Sequence, residues 1–398
     1  MKATPKKAFI VVGLGYGDEG KGLATDFLCL HSEKCLVVRF NGGQQAGHTV
    51  VTKGGQRHVF SNFGAGTFRN IPTYWSHYCT FSPGFFLEEL QLLPVYPKMY
   101  IHKLCPVTTH YDVLYNRALE FSRGDSRHGS CGLGYGATVD RHHDLPSRLY
   151  AQDILKPSTL RKKMKAIRSF YKEKINQETS FNFSQFEHDE EDKQFEKDAY
   201  ELGNLVSLGV IELVTEKEIF SPHNAWQTYI FEGAQGILLD IDFGQRPHIT
   251  KSYTTSKNAM EIIHRNFKKQ DVQSEILYVT RVYQTRHGAG PFRQTNMAGV
   301  LRNIELETNY KNDFQGEFRT GHLDMDRLNY SLKCDANFSA DCQKNLLITC
   351  VDQLVDSTVT VHKDGADIRI FYTDIPQLLK LPFKMIRYSF SNCAEDLV

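Results

Sequence analysis

Two carboxylates and a lysine stand inside the glycine-rich run Gly13-Leu14-Gly15-Tyr16-Gly17-Asp18-Glu19-Gly20-Lys21-Gly22, which follows the apolar stretch Ala8–Val12 directly. A buried strand opening into such a turn brings backbone N–H groups up against phosphates. Gly15, Gly20 and Lys21 keep the G-x-x-x-x-G-K spacing, but Gly22 stands where a hydroxyl residue would normally reach Mg²⁺. Asp18 and Glu19 would repel a nucleotide unless one of them binds a metal or takes a proton. The loop is built for chemistry at a phosphate as well as for holding it.

Four further segments carry polar residues in patterns a plain structural loop does not need. Asn41–Thr49 (NGGQQAGHT) brings His48 behind a flexible glycine pair, which weakens the ordinary case of a histidine serving only as a structural hydrogen-bonder. Phe231–Asp242 (FEGAQGILLDID) is too polar and glycine-rich for a strand end. Arg281–Phe292 is a rigid Gly/Pro turn with two arginines. Glu307-Thr308-Asn309 and then Gln315–Gly321 (QGEFRTG) form a polar loop around Arg319. His128 and the pair His142-His143 read as structural, because adjacent histidines point in different directions and do not make a metal site.

These segments must be positioned by the elements before them. The apolar runs Cys35–Phe40, Thr228–Phe231, Glu275–Thr280 and Asn345–Val351, with Ala8–Val12, each end in glycine or polar residues. That is the pattern of parallel strands whose carboxyl ends line a site. Helical periodicity fits 22–30, 111–123 and 259–269. Residues 155–220 crowd basic residues into 161–174 and acids into 187–197, so a solvated helical insertion is expected there. From Val359 to Val398 the alternation suits an edge hairpin and a short strand. The expected fold is a single α/β domain over 1–398, with surrounding helices, a mainly parallel central sheet and a P-loop-like nucleotide site.

Composition narrows the class. Lys and Arg number 47 against 46 Asp and Glu, so no overall field recruits nucleic acid or an anionic membrane. The 9 cysteines include no C-x-x-C pair, and their odd number suits a reducing compartment better than a disulfide framework. The first apolar run is short and enters a glycine loop, unlike a signal peptide, and no stretch approaches the roughly 18 apolar residues that cross a bilayer. A soluble, cytoplasmic protein is expected.

Taken together, GDEGKG at 17–22, GGQQAGHT at 42–49, FEGAQGILLDID at 231–242, TRHGAGPF at 285–292 and RTGHLD at 319–324 resemble the adenylosuccinate synthetase family in order and spacing. The resemblance implies a homodimeric ligase that joins IMP and L-aspartate at the expense of GTP, with Mg²⁺ as cofactor. It implies Asp18 as the base at purine N1, with His48, Lys21 and Gln235 as its catalytic partners. Gly17 to Gly22, Gly47, His48, Thr49 and Asp352 would hold the triphosphate, with Asp18 and the Gly47 carbonyl on the metal. Gln45, Ser130, Cys131, Gln235, Thr250 and Arg141 would hold the purine monophosphate, and Arg319 with Thr320 the aspartate.

The chain also departs from the family pattern. Ser130-Cys131-Gly132 stands for a Thr-Thr-Gly phosphate turn, and Cys131 is a poor donor. Gln45 stands for an asparagine. The arginine that one subunit gives the other has two candidates, Arg141 and Arg148. The segment Asn312–Thr320 keeps one arginine where the family commonly has several, and so resembles the archaeal and phage branch. That branch includes 2-aminoadenylosuccinate synthetases acting on dGMP, in which a small residue replaces the loop aspartate. Asp18 is kept here, which favours IMP over (d)GMP. Thr349-Cys350-Val351-Asp352 keeps the acid of the family's guanine-reading T-K-x-D but not its lysine, so ATP stands as the alternative to GTP. A nucleotide-binding paralogue without ligase activity is the remaining alternative.

Overall fold

Strands that are apolar on both faces are buried only in a parallel sheet covered by helices on both sides. The computed structural model, which describes residues 5–302, 307 and 314–398, has this architecture. Nine strands, β1 (Lys6–Gly13), β2 (Cys35–Arg39), β3 (Thr73–Trp75), β4 (Met99–His102), β5 (Ile211–Val214), β6 (Thr228–Gly236), β7 (Val272–Arg281), β8 (Gln343–Thr349) and β9 (Met385–Tyr388), form one sheet. Their order is β9-β8-β7-β1-β6-β2-β3-β4-β5, and every neighbouring pair runs parallel. The five apolar runs read from the sequence are the five contiguous strands β8, β7, β1, β6 and β2. Along β1, Ile10 and Val12 face one core while Val11 faces the other. The edge strands are short and partly exposed, so their runs carry little signal.

The helix Lys21–Leu30 follows the glycine loop at once. Gly20 caps it with φ 99°, a left-handed conformation that glycine adopts without a Cβ penalty. Leu23, Ala24 and Phe27 then pack on Val11, Ile230 and Leu347. This anchoring fixes the loop against the carboxyl edge of the sheet.

Residues 155–220 differ from the expected solvated insertion. The helices Pro157–Glu178 and Asp189–Ser207 do form, but they bury Leu160, Met164, Ile167, Tyr171 and Ile175 from the first and Phe195, Ala199 and Leu202 from the second. The segment also contributes β5, an edge strand of the main sheet. A narrow stripe at helical spacing was masked by the charges on the other faces. At the C-terminal end, Thr358–Lys363 and Ala366–Phe371 make an antiparallel hairpin, and β9 extends the main sheet beside β8.

Arg141, expected at the purine monophosphate, is instead internal. It lies wholly buried against Asp112, with Nε 2.8 Å from Oδ1 and Nη2 3.0 Å from Oδ2, and it also donates to the carbonyls of Ser147 and Val107. A side chain so committed inside its own chain cannot reach a ligand or a second subunit. Asp112 further accepts from the Tyr171 hydroxyl at 2.6 Å and the Thr109 N–H at 2.7 Å. Burial alone would push its carboxyl up, but the Arg141 guanidinium and these donors outweigh it and hold it below the ordinary 3.8. A carboxyl depressed in the folded state stabilises above its unfolded value and loses that contribution as pH falls through the folded one. Asp112→Asn should therefore cost about 3 kcal/mol at neutral pH, because it strands a buried guanidinium. The gap to the parent should narrow in acid, read by denaturant unfolding at pH 7 and below pH 4.

Candidate active site

The carboxyl ends of β1, β2, β6, β7 and β8 open into two cavities that share lining residues. The first, about 500 Å³, is lined by Ser130, Cys131, Thr250, Lys251, His248 and Arg286 among others. The second, about 370 Å³, is lined by Gly17, Asp18, Gly20, Lys21, Gly22 and, from the loop after β2, Ala46 to Thr49. Gln45, Gln235, Leu239, His287 and Gln315 line both. Gln45 and Gln235 thus stand at the junction. Both amide atoms of Gln45 and Oε1 of Gln235 are buried with no hydrogen-bond partner among the described residues, which marks the junction as a place for a polar ligand.

Gln235 has φ 56°, a left-handed conformation uncommon for a residue with a side chain. Asn41 over-determines it: its amide accepts from the Ala234 N–H at 2.8 Å and donates to the Ala234 carbonyl at 2.9 Å. The strain turns the Gln235 side chain into the junction rather than the core, the usual place for such outliers.

In the glycine loop the two acids separate. Glu19 is buried, accepts from the Gly17 N–H at 2.7 Å and pairs with Lys21 Nζ at 2.9 Å; it lines neither cavity. Lys21 also donates to the Gly17 carbonyl at 2.7 Å. The charge of Glu19 is thereby paired with Lys21, and Asp18 is the loop acid that lines the second cavity. Burial pushes its carboxyl up, against the Arg281 guanidinium and with help from Glu19 and Glu307, to about 6. A carboxyl so poised is suited to take a proton near neutrality. Arg281 closes the loop from β7, donating to the Asp18 carbonyl, the Tyr283 hydroxyl and Glu307. Gly22 has a steric reason: a Cβ there would come within 2.7 Å of the Thr49 carbonyl and 3.0 Å of the His48 Cβ.

His48 begins the strand His48–Val51, which pairs with Arg57–Phe60. Its Nδ1 lies 2.8 Å from Glu232 Oε1, both side chains being buried. Burial lowers the imidazole below its ordinary value, against the pull of Glu232. Burial also pushes Glu232 up, but His48, Arg39 and the Ala65 N–H outweigh it and the carboxyl is held down. A carboxylate on Nδ1 makes that nitrogen the donor and leaves Nε2 for the cavity that His48 lines. Glu232 was not singled out in the sequence as a partner of His48. A glutamate inside a strand buried on both faces was the available signal.

The other expected residues divide. Gln45, Ser130, Cys131, Gln235 and Thr250 line the first cavity. Ser130 Oγ accepts from the Asn116 amide at 2.8 Å, which leaves its own proton to donate. Arg319 and Thr320 line neither cavity. The Arg319 guanidinium is held by the Gly288 and Gly290 carbonyls and lies over Phe292, so it braces the turn of residues 288–290. Asp352 lies beside the second cavity, whose lining there is Cys350, Gln353 and Asn392. Thr308, Asn309, Asn312 and Asp313 lie outside the described residues.

Fold and site define an α/β protein with a P-loop-like cradle at the carboxyl edge of a parallel sheet. A family model described as adenylosuccinate synthetase matches residues 10–362, and the chain belongs to the adenylosuccinate synthetase family. Adenylosuccinate synthetase of Psychromonas ingrahamii is 31% identical over 299 residues, 73% of this chain and 64% of that protein. That of Alteromonas mediterranea is 30% identical over 297 residues, 72% of this chain and 64% of that one. The chain thus spans slightly under two thirds of these relatives' lengths. Among solved structures, a fully ligated adenylosuccinate synthetase from Plasmodium falciparum shares the fold at TM-score 0.76 and 16% identity, covering 99% of both chains. The succinoaminodeoxyadenylate synthetase of cyanophage S-2L, bound to dGMP and dATP as an energy donor, shares it at TM-score 0.67 and 17% identity, covering 99% of this chain and 95% of that one. Among the described residues no helix is long and apolar enough to cross a membrane.

Proposed function

We propose that the chain is a C–N ligase that joins IMP to L-aspartate with hydrolysis of a nucleoside triphosphate, GTP in first place, for purine nucleotide synthesis in the cytoplasm. The observation that carries this is the pair of cavities meeting at Gln45 and Gln235, with Asp18 and His48 lining the one that holds the glycine loop. Two nucleotides bound so would face each other across that junction.

Asp18 takes the proton from purine N1, and the electron pair moves to the 6-oxygen. That oxygen attacks the γ-phosphorus, and the bond to the bridging oxygen breaks to release the diphosphate. His48 Nε2 and Lys21 meet the charge that develops, Lys21 by turning from Glu19 toward the phosphates. The Gln235 amide holds the purine at the junction. The aspartate amine then attacks C6 and expels the 6-phosphate. Asp18 and Gly47 both line the second cavity; the carboxylate of one and the carbonyl of the other are hard oxygens that would hold Mg²⁺, which would supply charge neutralisation on the phosphates. The monophosphate would lie toward Ser130, Cys131 and Thr250. A homodimer completing each site belongs to this proposal, with Arg148 as its arginine now that Arg141 is committed internally.

The assay is incubation with IMP, aspartate, GTP and Mg²⁺, following the ultraviolet change of adenylosuccinate. Absence of product from IMP, dIMP, GMP and dGMP, with either GTP or ATP, overturns the ligase and leaves a nucleotide-binding paralogue. The alternative substrate, (d)GMP, is favoured by the thinned arginine segment around Arg319. The ratio of kcat/KM for IMP and dGMP decides it, because a site built to bond a 2-amino group rejects the purine lacking it.

A further inference from the structure

Behind the His48–Glu232 pair stands a buried arginine that the chemistry above does not use. Arg39 ends β2 in register with Glu232 on β6. It is wholly buried, its guanidinium carbon 4.9 Å from the centre of the Trp75 ring and its Nη1 3.9 Å from Glu232 Oε2. None of its three side-chain nitrogens donates a hydrogen bond among the described residues. A cation taken this far from water is costly, and apolar residues of similar volume commonly serve packing as well or better. Its presence here calls for a task other than filling space.

The two oxygens of Glu232 show what that task is. Oε1 lies against His48 Nδ1 at 2.8 Å, while Oε2 is turned toward Arg39. The Ala65 N–H stands 3.3 Å from both and so does not distinguish them. Without Arg39, little in this arrangement would stop the carboxylate from turning about its own axis or from leaning away from the imidazole. With Arg39 held over Trp75, one oxygen is drawn back and the other is kept on the ring nitrogen.

We propose that Arg39 is a positioning residue for the reaction, acting through Glu232 to hold His48 with its proton on Nδ1 and its Nε2 toward the second cavity. This rests on the role given to His48 above. The test uses the full chain, with a double-mutant cycle in Arg39→Met and Glu232→Gln, and ring nitrogen NMR of His48 as a readout independent of turnover. Arg39→Met should lower kcat by about ten- to a hundredfold, the size seen when the outer partner of a metal-bound histidine is lost. KM for both nucleotides should stay within about twofold. In the Glu232→Gln background the same change should alter kcat by less than about twofold. Arg39→Lys, which keeps the charge but not the flat fork, should recover part of the loss. In the parent the His48 ring should be the Nδ1–H tautomer, and in Arg39→Met a mixture.

An unchanged kcat in Arg39→Met, an additive loss in the Glu232→Gln background, or an unaltered His48 tautomer overturns the proposal. Should Arg39→Met fail to fold, Arg39→Lys decides: a lowered kcat with a mixed tautomer supports it, and an unchanged ring sinks it. A parent chain inactive with every substrate counts against the ligase, while the tautomer measurement still decides the role of Arg39.

Discussion

Replacing Asp18 by alanine is expected to lower turnover by at least about a thousandfold while both nucleotides still bind. The size follows from the task, since a positioned general base is worth about 10² to 10⁴ in rate, and no other loop carboxylate can stand in. Glu19 is held by Lys21 and by the Gly17 N–H and faces away from both cavities. Binding should persist because Lys21 and the backbone of the loop, shaped by Gly20 and by the helix that follows, remain to hold the phosphates. Asp18→Asn should lose as much as Asp18→Ala, because an amide of the same shape cannot accept the proton. The measurements are kcat for IMP and calorimetric binding of each nucleotide. A variant turning over at the parent rate removes Asp18 as the base; one that binds neither nucleotide makes it a structural residue of the loop.

His48→Ala is expected to cost about a thousandfold in kcat, the upper end of what one donor aimed at developing charge contributes. The effect should fall on kcat rather than on KM, since the imidazole would meet charge that is absent from the bound substrates. Loss confined to KM would make His48 a binding residue. Glu232→Gln should cost less, because an amide can still touch Nδ1 although it no longer dictates which ring nitrogen carries the proton.

The strands that build the centre of the sheet were legible because each is a short continuous apolar run ending in glycine or polar residues, a signal that needs no distant partner. The short edge strand Ile211–Val214 was not, since four residues beside a long charged stretch carry no periodicity of their own. The helices of 157–207 look solvated in the sequence because charge dominates their composition; five apolar side chains on one face of the first and three on the second were enough to bury them. For the site, the glycine loop and the segment of His48 were visible as local patterns. Neither the internal place of Arg141 nor the role of Glu232 is legible in the sequence, because a charge in a sequence does not say whether its partner is water, a ligand or another buried charge.

The sequence by itself determined which backbone segments end at the site and which residue types reach it, because strand runs, glycine turns and the G-x-x-x-x-G-K spacing are properties of neighbours along the chain. Only the tertiary structure decided which charges remain for chemistry. Glu19 is spent on Lys21, Arg141 on Asp112 and Arg319 on a glycine turn, whereas Asp18 and His48 reach the cavity. Those pairings join residues 2, 29 and 31 positions apart, and the pair that orients His48 joins it to Glu232, 184 positions away; a charge excluded from water takes whichever partner the fold brings closest.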